Sequence, residues 1–239
     1  MKLQVDAGDV CADHHDQVVN EISPRYVQVD EMWSFCYAKS RNRATARGVI
    51  DGAGSIYTWI GIDVDTKLII AWTPGRRDRI TGGRFMHDLA SRLDDRVVLS
   101  SDGFATYPQI VDDAFDEDEV DYVQLHVAEG VEIPSGINNV YIERHNLTMR
   151  MSNRRLNRRT NAFSKKYRNH VASLALYFTY YNFCRVHSTI ETTPAIEAGL
   201  DDTQRDLEWI VDMLDMETPP PNRPATYRTV RARRSRVLS

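Results

Sequence analysis

Three acidic residues, each in a different local setting, are the ones in this chain best placed to do chemistry. They are Asp30 in Val27-Gln28-Val29-Asp30-Glu31-Met32-Trp33, Asp102 in Leu99-Ser100-Ser101-Asp102-Gly103, and Glu143 in Tyr141-Ile142-Glu143-Arg144-His145-Asn146. Carboxylates are hard oxygen ligands that suit Mg2+ or Mn2+. Two such ions about 3.5–4 Å apart can activate an attacking water or 3′-hydroxyl and stabilise the leaving oxygen of an in-line displacement at phosphorus. Three carboxylates crowded together without metal repel one another, so part of the metal-binding energy would be relief of that repulsion. Taken singly, Asp30 and Asp102 also fit ordinary turn or capping roles, because each follows a short β-like run.

The residues around Glu143 favour the same chemistry. On a helix, Glu143 shares a face with Asn146, Leu147, Arg150 and Arg154. Residues 139–170 also hold Arg144, Arg155, Arg158, Arg159, Lys165, Lys166 and Arg168 against the single acid Glu143. The net charge of −4 therefore hides an asymmetry: residues 1–138 carry 13 basic and 24 acidic side chains, residues 139–239 carry 17 and 10. A dense basic stretch can neutralise backbone phosphates and release their counterions. A solvated helix face explains the same charges without a ligand, and Glu143 in a first turn equally complements the helix dipole and pairs with Arg144 or Arg150.

The elements that must position these groups follow from periodicity. Residues 26–29 read as a strand stopping at Asp30, and 56–62 with 67–72 as a hairpin turned by Asp63-Val64-Asp65-Thr66. The spacing of Phe85, Met86, Leu89 and Leu93 predicts a helix over 79–93, followed by a buried strand over 97–99. A loop with the acidic cluster 112–119 leads to a strand over 122–127, and Pro134-Ser135-Gly136 breaks the chain before the basic helix, which Asn138 or Asn139 can cap. A second helix spans 162–183, with Val171, Leu174, Ala175, Phe178 and Tyr181 as its apolar stripe. An acidic helix follows over 206–216, prolines at 219–221 and 224 stop regular structure, and 228–236 form a basic tail. Trp33, Tyr181 and Phe183 are expected in the core, and turn chemistry accounts for Asp63 and Asp65.

Three cysteines, Cys11, Cys36 and Cys184, show no paired spacing, which supports neither a disulfide framework nor a structural zinc site. The sequence contains no long apolar run, and its first residues lack the charged and apolar regions of a signal peptide. A soluble cytoplasmic protein with no membrane partner is expected.

The ordered motifs resemble a known family. Asp30-Glu31-Met32-Trp33-Ser34-Phe35, then Ser101-Asp102-Gly103, then Ile142-Glu143-Arg144-His145-Asn146-Leu147-Thr148-Met149-Arg150, then Tyr181-Asn182-Phe183-Cys184-Arg185-Val186-His187 with Thr193-Pro194-Ala195, are similar to the catalytic part of prokaryotic insertion-sequence transposases of the IS-one type, in the DDE superfamily. The resemblance implies an α/β, RNase H-like mixed sheet flanked by helices over residues 25–200, preceded by a short N-terminal segment (1–24) and followed by a helical extension with a basic tail (201–239). It implies that Asp30, Asp102 and Glu143 are a metal-binding catalytic triad using Mg2+ or Mn2+ as two ions. Arg144, Asn146, Arg150, Arg154, Arg155, Arg158, Lys165 and Lys166 then become candidate DNA contacts, with His145, Arg185 and His187 supporting the site. Element-end and target DNA are the expected partners, bound by a homo-oligomer that associates with the nucleoid when acting. Nothing before Tyr26 matches the zinc-finger and helix-turn-helix region of full-length relatives, so end recognition is expected from a separate or frameshift-fused protein. The alternatives are a nuclease of RNase H type and a truncated, catalytically silent DNA-binding or regulatory remnant.

Overall fold

The computed structural model describes residues 2–40, 42, 52–125 and 138–216. The expectations for Pro134-Ser135-Gly136, for the prolines beyond residue 217 and for the basic tail fall outside them. Five strands, β1 (Tyr26–Cys36), β2 (Gly54–Asp63), β3 (Ile69–Gly75), β4 (Val97–Ser101) and β5 (Val120–Gln124), lie in the order β3-β2-β1-β4-β5. β1, β2 and β3 form an antiparallel meander, while β4 runs parallel to both β1 and β5. Helices α1 (Lys2–Val18), α2 (Arg79–Ser91), α3 (Tyr107–Asp112), α4 (Val140–Ser152), α5 (Tyr167–Thr179), α6 (Pro194–Glu197) and α7 (Leu207–Met216) surround the sheet. This is the mixed sheet flanked by helices of an RNase H-like fold.

Local chemistry explains the connections. The Asp63 carboxylate accepts from the Asp65 amide at 3.0 Å and from the Thr66 hydroxyl, and Lys67 adopts φ 64°, closing the β2–β3 hairpin. Asp63 is thus a turn residue, as its spacing suggested. Asp78 caps α2 through the Thr81 amide at 2.9 Å. α3, read from sequence as loop, starts with a proline in its first turn, where the missing N–H costs nothing.

Two layers cover the sheet. Val27, Val29, Trp59, Phe85, Leu89, Leu99, Tyr107 and Ile110 fill one side beneath α2 and α3. Met32, Ile60, Ile62, Ile142, Met149, Leu174 and Phe178 fill the other, beneath α4 and α5. The expected stripe of α5 is largely buried, with Leu174, Ala175, Phe178 and Tyr181 in the interior and Val171 at its margin. The helix ends at Thr179, however, and Tyr180–Cys184 continue as one wider π turn. That turn brings Asn182 inward, where its amide exchanges two 3.0 Å hydrogen bonds with the Ile69 backbone on β3.

Two differences from the sequence reading matter. β1 does not stop at Asp30 but runs eleven residues, to Cys36. Its polar residues do not end the strand because each finds a partner; Ser34 Oγ, for example, donates to the Ile56 carbonyl at 3.2 Å and meets His170 Nε2 at 3.2 Å. Residues 1–24 also hold a 17-residue helix that packs on α5. A Cβ on Gly8 would lie 2.5 Å from Ala172 Cα, so glycine is what lets the two helices approach. Trp209 of α7 meets His14 at 5.0 Å and Phe183 at 5.7 Å, which joins the C-terminal helix to this layer.

Gly8→Leu should lower unfolding stability by about 1–3 kcal/mol through overpacking. Gly83→Ala, where an added Cβ meets no atom within 4 Å, should leave stability unchanged or raise it by up to ~1 kcal/mol. Urea denaturation of both variants checks the pair, and equal effects would contradict the α1–α5 contact.

Candidate active site

The parallel pairing of β1 with β4 ends at Val29 opposite Ser101. β4 stops there and β1 continues, so Asp30 and Asp102 are each the first residue beyond the last pair. Successive side chains on a strand alternate faces, and β1 follows that rule. Gln28, Asp30 and Met32 face α4: Asp30 Oδ2 accepts from Asn146 Nδ2 at 2.7 Å, and Met32 packs with Ile142 and Met149. Glu31 faces the opposite layer, where its Oε2 accepts from the Tyr107 hydroxyl at 2.7 Å. Because, among the described residues, no strand covers this side of β1 beyond Ser101, a carboxylate oxygen from each of Asp30, Glu31 and Asp102 still falls within 4.8 Å of the other two.

Gln28 orients α4. Its fully buried Oε1 accepts from the backbone amides of Tyr141 and Ile142, both at 3.0 Å, and its Nε2 donates to Asn138 Oδ1 at 3.4 Å. Asn138 in turn takes the Val140 amide at 3.1 Å. The first-turn amides of a helix have no partner within the helix, and here a strand residue supplies one. The expected Asn138 cap is present, while Asn139 makes no side-chain cap. Glu143 then projects from the first turn of α4 and is exposed. It lines one open cleft of about 580 Å3 with Asp30, Asp102, Asn146, Arg150 and Arg158.

Concentrated negative charge sets the electrostatics. Burial, opposed by the Glu31 amide and reinforced by Asp102 and Glu143, pushes the Asp30 carboxyl up to about 6. Burial also pushes Glu31 up to about 7; the Tyr107 hydroxyl opposes this, Asp30 and Asp102 add to it, and Arg77 opposes it. Arg77 supplies the local counter-charge. Its Nε donates to Glu31 Oε1, its Nη2 lies 3.8 Å from Asp102 Oδ2, and its guanidinium stacks 3.9 Å from the Phe104 ring centroid. The Phe104 amide holds Asp102 Oδ1 at 3.0 Å. A cluster of hard oxygen donors with too little positive charge beside it fits a divalent cation.

The other candidates from sequence divide into groups. Asn146, Arg150 and Arg158 reach the cleft. Arg150 is braced by the carbonyls of Leu156 at 2.8 Å and Trp33 at 3.2 Å. Arg154, Lys165 and Lys166 are exposed beyond it. Arg155 is engaged structurally, donating to Ser164 Oγ at 3.2 Å and to Gln4 Oε1 at 3.1 Å. Arg144, His145, Arg185 and His187 are not at the carboxylates; they surround a separate cavity on the opposite face of α4. His145 is buried among Tyr177, Phe178 and Tyr181, and burial, with His187 and Arg185 nearby, pushes it down to about 3. Trp33, expected in the core, is half-buried at the cleft, stacked on Phe35 at 5.9 Å with Lys39 above both rings. Glu31, Arg77 and Tyr107 were not singled out from sequence. Strand alternation puts Glu31 on the wrong face, and only the early end of β4 returns its carboxylate to the site.

A family model described as IS1 transposase matches residues 26–184, and the chain belongs to that family. Nothing among curated proteins matches it. Among solved structures, it is similar to a chain in the cryo-EM structure of the simian T-cell lymphotropic virus intasome in complex with PP2A regulatory subunit B56 gamma. That similarity has 13% identity and a TM-score of 0.46, over 78% of this chain and 58% of the other. The present chain thus spans less than two thirds of the length of that solved chain. The family implies use of a divalent metal. Among the described residues no helix is long and apolar enough to cross a membrane.

Two measurements follow. Gln28→Leu keeps the volume but strands the amides of Tyr141 and Ile142, so denaturation should show a loss of about 2 kcal/mol or more. An undiminished stability would mean that α4 is held by its apolar contacts alone. A carboxyl whose folded pKa is raised binds its proton more tightly folded than unfolded. Its ionisation therefore costs stability above the ordinary carboxylate range, and the full cost is reached above the folded value. In chelator, wild-type stability should fall more steeply from pH 5 to pH 8 than that of Asp30→Asn. Parallel profiles would show that Asp30 is not destabilised by its surroundings.

Proposed function

We propose that this chain is a DDE transposase that cleaves a DNA strand at an element end and joins the freed 3′-hydroxyl to target DNA. The observation that carries the reading is the meeting of Asp30 and Asp102 where β4 ends and β1 continues, with Glu143 of α4 opening onto the same cleft. In this assignment Asp30, Asp102 and Glu143 hold two Mg2+ or Mn2+ ions. When bound, such ions supply charge stabilisation to the attacking and leaving oxygens.

The chain's own groups position the reactants. Asn146 and the Glu31 amide fix the two oxygens of Asp30, and the Phe104 amide fixes Oδ1 of Asp102, whose Oδ2 lies 3.8 Å from Arg77. Arg150 and Arg158 face the cleft and provide phosphate contacts, which place a strand without reading its sequence. Glu31 anchors Arg77, whose remaining donors lie toward the same cleft. The half-buried face of Trp33 offers a stacking surface for a base at the cut. In the first step a water oxygen attacks the phosphorus, the bond to the 3′-oxygen breaks, and that oxygen leaves as a hydroxyl after gaining a proton. In the second step the same hydroxyl attacks a target phosphodiester and releases the target's 3′-oxygen. One site serves both steps, and the chain acts as a homo-oligomer because two element ends must be processed together.

A strand-transfer assay with precleaved element-end DNA and Mg2+ or Mn2+ tests this reading. Wild type should give joined product. Asp102→Asn and Glu143→Gln should each lose it by ~100-fold or more, because several kcal/mol of charge stabilisation depend on those ligands. Joining that survives both substitutions would overturn the assignment. Nicks without joining would support a nuclease of RNase H type, and binding without chemistry would support a regulatory fragment.

A further inference from the structure

The cavity behind α4 is built unlike a packing defect. Residues 141, 144, 145 and 148 line it, whereas 143, 146, 147 and 150 line the carboxylate cleft, so the two sites occupy opposite faces of one helix. Its volume is about 300 Å3, and Lys67, Arg144, Arg185, His145, His187 and Thr148 converge on it without any carboxylate in the lining. Among the described residues neither Arg144 nor Arg185 is ion-paired. Lys67 is partly committed: it donates to the Val64 carbonyl, lies 3.8 Å from the Tyr141 ring centroid, and feels Asp65 and Asp63 of the hairpin. The uncompensated charge therefore rests on the two arginines.

The second observation is independent of charge. His145 is 3% exposed and lines the cavity, yet neither of its ring nitrogens has a hydrogen-bond partner among the described residues; His187 Nε2 is in the same condition. A neutral imidazole always carries one N–H donor. A buried donor without an acceptor is costly, and here the acceptor must come from what fills the cavity.

We infer that this cavity is a phosphate-binding pocket, formed by Arg144, Arg185 and the His145 and His187 imidazoles, which takes a backbone phosphate of the DNA engaged at the carboxylate cleft. Guanidinium groups match phosphate oxygens in fork geometry, and imidazole N–H completes the donor set, the Thr148 hydroxyl being committed to the Arg144 carbonyl at 3.0 Å. The assignment to DNA rests on the transposase reading, whereas the affinity for phosphate does not. α4 then carries two holds on one nucleic acid: Glu143 and Arg150 toward the scissile phosphate, Arg144 and His145 toward a second phosphate across the helix.

Two readouts, neither requiring cleavage, test the pocket. Inorganic phosphate at constant ionic strength should raise the wild-type melting temperature saturably by about 2–4 °C. Arg144→Gln should reduce that rise, and Arg144→Gln with Arg185→Gln should abolish it. The exposed α2 variant Arg84→Gln should keep it, which separates binding from general salting effects. For DNA, the slope of log affinity against log salt should decrease by about one in the double variant. Because Arg144 is exposed, its single variant remains informative if the double variant folds poorly. A phosphate shift lost in the variants with an unchanged DNA slope supports the pocket and assigns it to a small phosphorylated ligand. The same phosphate response in wild type and Arg144→Gln, together with an unchanged slope, overturns the inference.

Discussion

Negative charge held where β4 ends and β1 continues is the constraint around which the rest of the structure is arranged. Asp30, Glu31 and Asp102 approach within 4.8 Å, two of them substantially buried, at an energetic cost that an ordinary core would not carry. Neighbouring groups reduce that cost. Asn146 and two backbone amides donate to the aspartates, Tyr107 donates to Glu31, and Arg77 spans Glu31 and Asp102. Each donor comes from a different element, so the cluster ties β1, α3, α4 and the loops after β3 and β4 to one point. A structure that tolerates such repulsion without a ligand gains the most when a divalent cation arrives.

α4 turns that constraint into a surface. Its start is fixed by the side chain of Gln28 on the central strand, which places Glu143 relative to Asp30 through buried hydrogen bonds. A loop-borne glutamate would need ordering on each encounter with substrate; one on a helix capped by the sheet is preorganised. The same geometry sends Arg144 and His145 to the other side, so a single rigid element lines both the carboxylate cleft and the separate basic cavity.

The peripheral helices make this arrangement stable. α1 and α7 pack against α5 and the π turn, whose Asn182 completes the backbone bonding of β3. The π turn has a clear purpose: it rotates Asn182 to the sheet while Tyr181 remains against His145. The family assignment covers residues 26–184, and α1 lies outside that span while sharing the same core.

Residue types and their order were sufficient to read the basic stretch, the β2–β3 hairpin, the α2 and α5 periodicities and the mixed-sheet fold, because each depends on local chemistry or on a motif contiguous in the chain. Alternation and helical period are short-range properties, and turn residues such as Asp63 bond to atoms two or three positions away. Tertiary structure alone decided the rest. It extended β1 past Asp30, because buried Gln28 and Ser34 find partners more than twenty residues distant. It formed α1 around a glycine that only makes sense against Ala172. It brought Glu31 to the aspartates despite strand alternation, moved Trp33 from the core to the cleft, and sent Arg144, His145, Arg185 and His187 to a different cavity. In every case the deciding interaction joins residues far apart in the chain, and sequence spacing carries no information about which distant surfaces will meet.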